Sequence, residues 1–392
     1  MFDRNFFESP LSRTGTDCRK WDDRAILPEG GIPLWVADMD FPGAPAITEA
    51  IQKRAAHPVY GYTYVSKQSD DAVCSFWQRR HQVTLAREQL LMMPSVVSGL
   101  RACVLALTKP EDTVMIFTPV YGPFYAAVKD SGRSLLEVPL MRDAAYRYSI
   151  DFDSVERHFA TGKVAMLMLC SPHNPVSRLW RKEELQKLAA LCRRYGVRLT
   201  VDEIHCDFVY APDTFQSIMG LEEAPPETVS LTAPSKSFNI AGLKQAYLFC
   251  RDEQTMSTLR RFFSVYGIES GNLFALTATQ AAYSQCDEWL DGLLTYLSES
   301  RETIYKEIAR LLPQAHVTPI EATYLAWLDV SAYENDADAL TARCYRHGVT
   351  LTNGVFFGSE TGRGHMRLNF GCPRPQLKEG IRRFAEAVLA KE

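Results

Sequence analysis

The feature that most constrains this chain is an alternation that starts near residue 46. Short, mostly apolar runs of strand length are separated by amphipathic runs of helical length. The strand candidates are DTVMIFTP (112–119), KVAMLMLCSP (163–172), VRLTVDE (197–203), ETVSLTAPSK (227–236) and KQAYLFCRD (244–252). Between and around them lie PAITEAIQKRAA (45–56), SVVSGLRACVLALT (95–108) and KEELQKLAALCRRYG (182–196). The last has acids in its first turn, bases in its last and Gly196 as its stop. Apolar strands alternating with helices give βαβ units and a mostly parallel sheet buried on both faces. The expected class is therefore α/β, with a large domain over residues 46–285.

A long helical stretch begins near residue 270, and Pro313 is expected to end it. The segments after it (TYLAWLDV, ALTARCYRHG, VTLTNG, GHMRLNFG and the C-terminal QLKEGIRRFAEAVLAKE) read as a compact α+β unit. Residues 1–45, rich in Pro and Gly, are expected to join residues 286–392 in this smaller domain.

Composition narrows the function. The 392 residues carry 43 Lys+Arg against 47 Asp+Glu, a net charge of −4, with 46% hydrophobic residues. That excludes a disordered or fibrous chain and offers no basic footprint for nucleic acid or an anionic membrane. The ten cysteines are scattered, with no CxxC and no zinc-finger spacing, so free thiols in a reducing compartment are expected. There is no apolar leader and no run long enough to span a bilayer, and the cytoplasm is expected by elimination.

In a parallel sheet, ligands bind beyond the carboxyl ends of the strands. Tyr121, Asn174, Asp202, His205 and Lys236 all stand just past such an end. A loop lysine is ordinarily a solvated charge. Lys236, however, has a hydroxyl on each side and is followed by an apolar, Gly-containing stretch, and a lysine that forms a Schiff base must be desolvated among fixed polar groups. Asp202 can cap a helix or bind a metal, but Asp202, Glu203 and His205 have no standard metal spacing, so no metal is expected. Pairing with a cationic ring nitrogen suits it better. Asn174, between His173 and Pro175, is a turn residue by default and can also donate to a phenolate-type oxygen. Val96 and Val97 follow Ser95 at a helix start, where free N–H groups suit a phosphate. Arg367, in the apolar run MRLNFG, either closes an internal salt bridge or clamps a substrate carboxylate.

These motifs together resemble the class I/II pyridoxal-phosphate (PLP) enzymes of the aspartate aminotransferase fold, and within them the cystathionine β-lyase or carbon–sulfur lyase branch. The resemblance rests on WVADMDF (35–41), YGY (60–62), TPVY (118–121), SPHNP (171–175), VDEIH (201–205), APSKSFNIAGL (233–243), TYLAWLD (323–329) and MRLNFGCP (366–373), in the family's order. It implies that Lys236 carries the cofactor and acts as base, that Asp202 pairs with the ring nitrogen, that Asn174 faces the ring oxygen, and that His205, also at the cofactor, takes the place where many aminotransferases have a tyrosine. It implies that Tyr121 stacks on the ring, and that Val96, Val97, Ser235 and Lys244 gather at the phosphate. Tyr62 is implied to reach the phosphate of a neighbouring subunit, making a homodimer. Arg367 is implied to bind the amino-acid carboxylate, with Asn174 beside it, and Trp35, Ala37 and Asp38 to cover the substrate. Three positions depart from the family pattern: Ser177 and Ser95 stand where glycine is usual, and Ala233 where a hydroxyl is common, leaving Ser235 or Thr232 to replace it. The implied reaction is β-elimination from cystathionine or a related cysteine S-conjugate, giving thiol, pyruvate and ammonia. Transamination is the rival on the same fold, and a catalytically silent binding protein the rival from another class.

Overall fold

The computed structural model describes residues 2–268 and 271–390. Its centre is a seven-stranded sheet. In chain order the strands are β1 (Leu90–Met93), β2 (Thr113–Thr118), β3 (Ser134–Pro139), β4 (Val164–Cys170), β5 (Arg198–Asp202), β6 (Val229–Thr232) and β7 (Ala246–Phe249). They lie in the order β1-β7-β6-β5-β4-β2-β3. All pairings are parallel except those of β7, which runs antiparallel to both neighbours.

The inner strands are largely apolar because successive side chains enter two different cores. Val114 and Ile116 of β2, with Met166 and Met168 of β4, pack against Leu100, Cys103 and Val104 of the helix Val96–Leu107. The intervening Met115, Phe117, Leu167 and Leu169 pack on the opposite face, with Leu185 and Leu188 of the helix Lys182–Tyr195. Gly196 ends that helix in the left-handed conformation, as its position predicts (φ 66°).

A second sheet, wholly antiparallel, follows the long helix Asp287–Leu311. Its strands are β8 (His316–Val317), β9 (Leu325–Asp329), β10 (Thr352–Asn353) and β11 (His365–Asn369), ordered β8-β9-β11-β10. The N-terminal segment reaches this part of the molecule, where Ile32–Pro33 pairs in parallel with Val349–Thr350.

Two expectations change. The helical stretch after residue 270 is two helices, Leu273–Gln285 and Asp287–Leu311, broken at Cys286 (φ −114°, ψ 18°). Asp287 and Glu288 then open the second helix, where the axial dipole favours acids. That helix stops at Leu311, a residue short of the expected stretch, because the residue before a proline is disfavoured in helical geometry.

Ser177 does adopt the left-handed conformation that a glycine would favour (φ 56°). It is buried, and its hydroxyl donates to the carbonyl of Leu325 and lies 3.2 Å from Thr323 Oγ1, itself at φ 65°. The hydrogen bonds to β9 and its approach offset the backbone cost. The expected stability order in urea unfolding is Ser177, then Ser177→Gly, then Ser177→Ala. Alanine keeps the strain and loses the bond, for about 1–3 kcal/mol, whereas glycine regains roughly 1 kcal/mol of strain. An alanine variant at least as stable as the glycine variant contradicts this reading.

Candidate functional site

The carboxyl ends of β2, β4, β5 and β6 point to one edge of the sheet, and the antiparallel β7 begins there. The turns at this edge carry Tyr121, Asn174, Asp202, Lys236 and Lys244. Arg367 on β11 and the strap 35–38 close the opposite side. Together they wall a cavity of about 400 Å³. Trp35, Ala37, Val96, Val97, Tyr121, Asn174, Asp202, His205, Ser235, Lys236, Lys244 and Arg367 all line it. Asp38 does not, although its charge acts on Lys236. Tyr62 lies outside and is fully exposed.

The floor is a buried carboxyl. Asp202 ends β5 with 4% exposure, and the one hydrogen bond to its carboxylate among the described residues comes from the N–H of Ile204 (3.0 Å). Burial pushes its pKa up from 3.8 to about 7, against the pull of that N–H and of the Lys236 charge. The same burial, helped by Arg367, brings Lys236 down to about 8, against the pull of Asp38 and Asp202. The Lys236 ammonium donates to the carbonyl of Ala37 on the strap. His205 is buried, and burial plus the charges of Lys236 and Arg367 hold it well below its usual range, hence neutral. Its Nδ1 has no partner among the described residues. Burial also raises the Tyr121 hydroxyl, keeping it protonated.

Arg367 has no internal salt bridge among the described residues. Its guanidinium donates to Asn174 Oδ1 (3.1 Å), the carbonyl of Trp35 (2.8 Å) and Thr352 Oγ1 (3.2 Å), and stacks over the Phe357 ring at 4.7 Å. A cation buried to 4% exposure with only neutral partners has its pKa lowered to about 10 by burial. Its chemistry suits a carboxylate. Asn174, bonded through its oxygen, keeps its amide N–H groups for a ligand.

At the other end Ser95 caps the helix Val96–Leu107, accepting from the N–H of Ser98 (3.1 Å). The N–H groups of Val96 and Val97 have no partner among the described residues, and neither do the Ser235 hydroxyl and the Lys244 ammonium. Two amides, a hydroxyl and a cation at a helix N-terminus fit a phosphate. Of the two hydroxyls expected to replace the one absent at Ala233, Ser235 lines the cavity. Thr232 instead faces Cys206, at 4.0 Å. An acid for a ring nitrogen, an amine for an aldehyde and an anion cradle fit PLP.

The metal alternative for Asp202, Glu203 and His205 dissolves in the geometry. Glu203 faces away, bonded to Ser217 (2.8 Å), the N–H of Ile218 (2.8 Å) and Ser230 (2.6 Å). A second trio, Cys206 and Asp207 directly after His205 with His81 from far upstream, brings three ligand-type atoms within 4.8 Å. Asp207 there is already engaged by His81 (2.9 Å) and by the Ser237 hydroxyl.

Four residues were missed. Asn239 exchanges two hydrogen bonds with the backbone of Met39 (2.9 and 2.7 Å), and Asn369 donates to the carbonyls of Val36 and Asp38. Tyr324 donates to Ala37 (3.1 Å), and Thr352 holds Arg367. Asn239, Tyr324 and Asn369 sit inside the motifs quoted above. Their signal was the strap itself, whose exposed backbone groups need partners.

A carboxyl held above its unfolded value keeps its proton longer in the folded state. Its contribution to stability is therefore full at low pH and declines as pH rises from about 4 through 7. In cofactor-free protein, Asp202→Asn should raise stability to urea by roughly 2–4 kcal/mol at pH 8 and change it little at pH 4. A variant less stable than the parent at pH 8 contradicts the buried-acid account.

Residues 30–384 match the family model for aminotransferase class I and II. The chain is 38% identical over 387 residues to cystathionine beta-lyase PatB of Bacillus subtilis, covering 97% of this chain and 99% of that one. It superposes on a PLP-bound putative aminotransferase from Clostridium difficile 630 with a TM-score of 0.94 at 33% identity, covering 97% and 99% of the two chains. On a PLP-bound C-S lyase from Staphylococcus hominis the TM-score is 0.92 at 29% identity, covering 98% of each. With this much of its length matched, the chain belongs to the class I and II aminotransferase family.

Proposed function

We propose that this chain is a PLP-dependent carbon–sulfur β-lyase that releases thiol, pyruvate and ammonia from cystathionine or related cysteine S-conjugates. The observation that carries the reading is one cavity holding an amine lowered to about 8 (Lys236), a buried acid (Asp202) and a buried arginine without a carboxylate partner (Arg367). Near-full-length identity to a cystathionine beta-lyase, and the likeness to a C-S lyase, favour elimination over transamination.

In this reading Val96, Val97, Ser235 and Lys244 hold the cofactor phosphate, Asp202 its ring nitrogen, and Asn174, His205 and Tyr121 its ring. When bound, PLP supplies an electron sink for the electrons left when the substrate Cα loses its proton. The protein supplies the rest. Arg367 and Asn174 grip the α-carboxylate and so fix which Cα bond faces Lys236. Lys236 Nζ, partly neutral near pH 8, takes the Cα proton. Ionised Asp202 keeps the ring nitrogen cationic. The strap with Trp35, Ala37 and Asp38 excludes water from the reacting carbon.

Residues 46–285 are proposed as the cofactor-binding domain, and 1–45 with 286–392 as the smaller one. The pairing of Ile32–Pro33 with Val349–Thr350 supports that division. A homodimer is proposed, supported by the exposed apolar run of Val59, Tyr60, Tyr62, Tyr64 and Val65, from which Tyr62 would reach the partner's phosphate site. Ten free cysteines support a cytoplasmic enzyme. No helix among the described residues is long and apolar enough to cross a membrane.

PLP-loaded protein given L-cystathionine without any keto acid should release pyruvate, ammonia and thiol together over many turnovers. Turnover that appears only when a keto acid is added would assign the chain to transamination instead. Lys236→Ala should still bind PLP, lose its covalent link, and lose at least about a hundredfold in rate. Retained turnover would remove the base.

A further inference from the structure

We propose that Arg19 recognises the far end of the substrate, so that the preferred substrates are cysteine S-conjugates whose sulfur substituent ends in a carboxylate. The inference rests on the β-lyase reading and specifies its substrate class.

The charges lining the cavity are unbalanced. Its lining holds four bases, Arg19, Lys236, Lys244 and Arg367, against one acid, Asp202. Lys236, Lys244 and Arg367 are committed to the cofactor and the α-carboxylate. Arg19 is not. Its guanidinium has no hydrogen bond and no ion pair among the described residues, only the face of Trp35 at 5.8 Å. Arg13 and Lys20, the bases beside it in the chain, differ. Arg13 is bonded to Asp38 (2.9 Å) and Asp40 (2.7 Å), and Lys20 to Asp40 (2.9 Å). The segment uses its acids on Arg13 and Lys20, and leaves free the one cation that faces the cavity.

Position gives this cation its use. Arg367 is buried and Arg19 is exposed, so the two guanidiniums mark the closed and open ends of one cavity. Both of their fields reach the Tyr121 hydroxyl between them. The wall there is aromatic and apolar, from Tyr121, Trp35, Phe356 and Val97. A thioether chain suits that wall, with a carboxylate at each end. An alkyl conjugate fills the same wall but leaves Arg19 in water at little cost, so selectivity comes from the added ion pair. For a pair at the solvent edge with Arg geometry, that is about fivefold.

The test uses two substrates that differ only in the terminal group, S-(2-carboxyethyl)-L-cysteine and S-propyl-L-cysteine. In PLP-loaded enzyme, the ratio of kcat/KM for the acidic over the neutral conjugate should fall about fivefold in Arg19→Gln and further in Arg19→Glu. The loss should lie in KM rather than kcat, because the reacting carbon is untouched, and the ratio in the parent should fall as salt is added. An unchanged ratio, or a parallel loss for both substrates, overturns the proposal. Titrating the absorbance of the bound cofactor with each amino acid gives the two Kd values without turnover. If the parent releases no pyruvate from either compound, the lyase reading fails. The Kd ratio in Arg19→Gln then still decides for or against Arg19 as the distal anchor.

Discussion

A carboxyl group buried without a direct cationic partner is the constraint around which the site is arranged. Asp202 occupies the end of β5, the middle strand of the sheet, where the fold removes it from water. An isolated buried acid responds by holding its proton, and Asp202 does so up to about pH 7. Its neighbours carry the complementary frustration. Arg367, buried, and Lys236, half-buried, are cations that desolvation pulls down rather than ion pairs that neighbours stabilise. A stability-optimised core would pair or remove all three. Here they are kept apart on separate elements: Asp202 at the end of β5, Lys236 in the turn after β6 and Arg367 on β11. A ligand that brings a cationic ring nitrogen, an aldehyde and a carboxylate resolves each of them. Electrostatic preorganisation of this kind is stored in the fold before any ligand arrives.

The strap over the cavity is the second half of that design. Residues 36–39 have no secondary-structure partner along most of their length, and their backbone groups are satisfied by side chains from both sides of the site. Asn239, three residues after Lys236, holds Met39, and Asn369, two residues after Arg367, holds Val36 and Asp38. Lys236 and Tyr324 both donate to Ala37. The strap is thus tied to the amine on one side and to the carboxylate seat on the other. The left-handed backbone at Asn239 (φ 56°), tolerated better by asparagine than by most residues, aims its amide at the strap.

The sheet was legible because a strand buried on both faces leaves an uninterrupted apolar run, and β2, β4, β5, β6 and β7 each do. β3 was not, because it lies at the sheet edge with several side chains exposed, and β1 is a four-residue edge strand. The break at Cys286 leaves no proline or glycine to mark it; it is seen only in the backbone angles. Asp202, Lys236, Asn174 and Arg367 were legible because each is a polar residue at or inside an apolar run. Asn239, Tyr324, Thr352 and Asn369 were not, since their meaning lies in what they meet across the fold. Ser177 departs from the family pattern, yet the bond that makes it tolerable comes from β9, far away in sequence.

The central claim is that the pocket is built to hold a cationic ring nitrogen against ionised Asp202. The most direct measurement is the ¹⁵N chemical shift of the ring nitrogen in protein loaded with ¹⁵N-labelled PLP. The account predicts a shift characteristic of a protonated nitrogen throughout pH 6–9, moving to the unprotonated position in Asp202→Asn. An unprotonated nitrogen in the parent, or a shift that ignores the substitution, would contradict it.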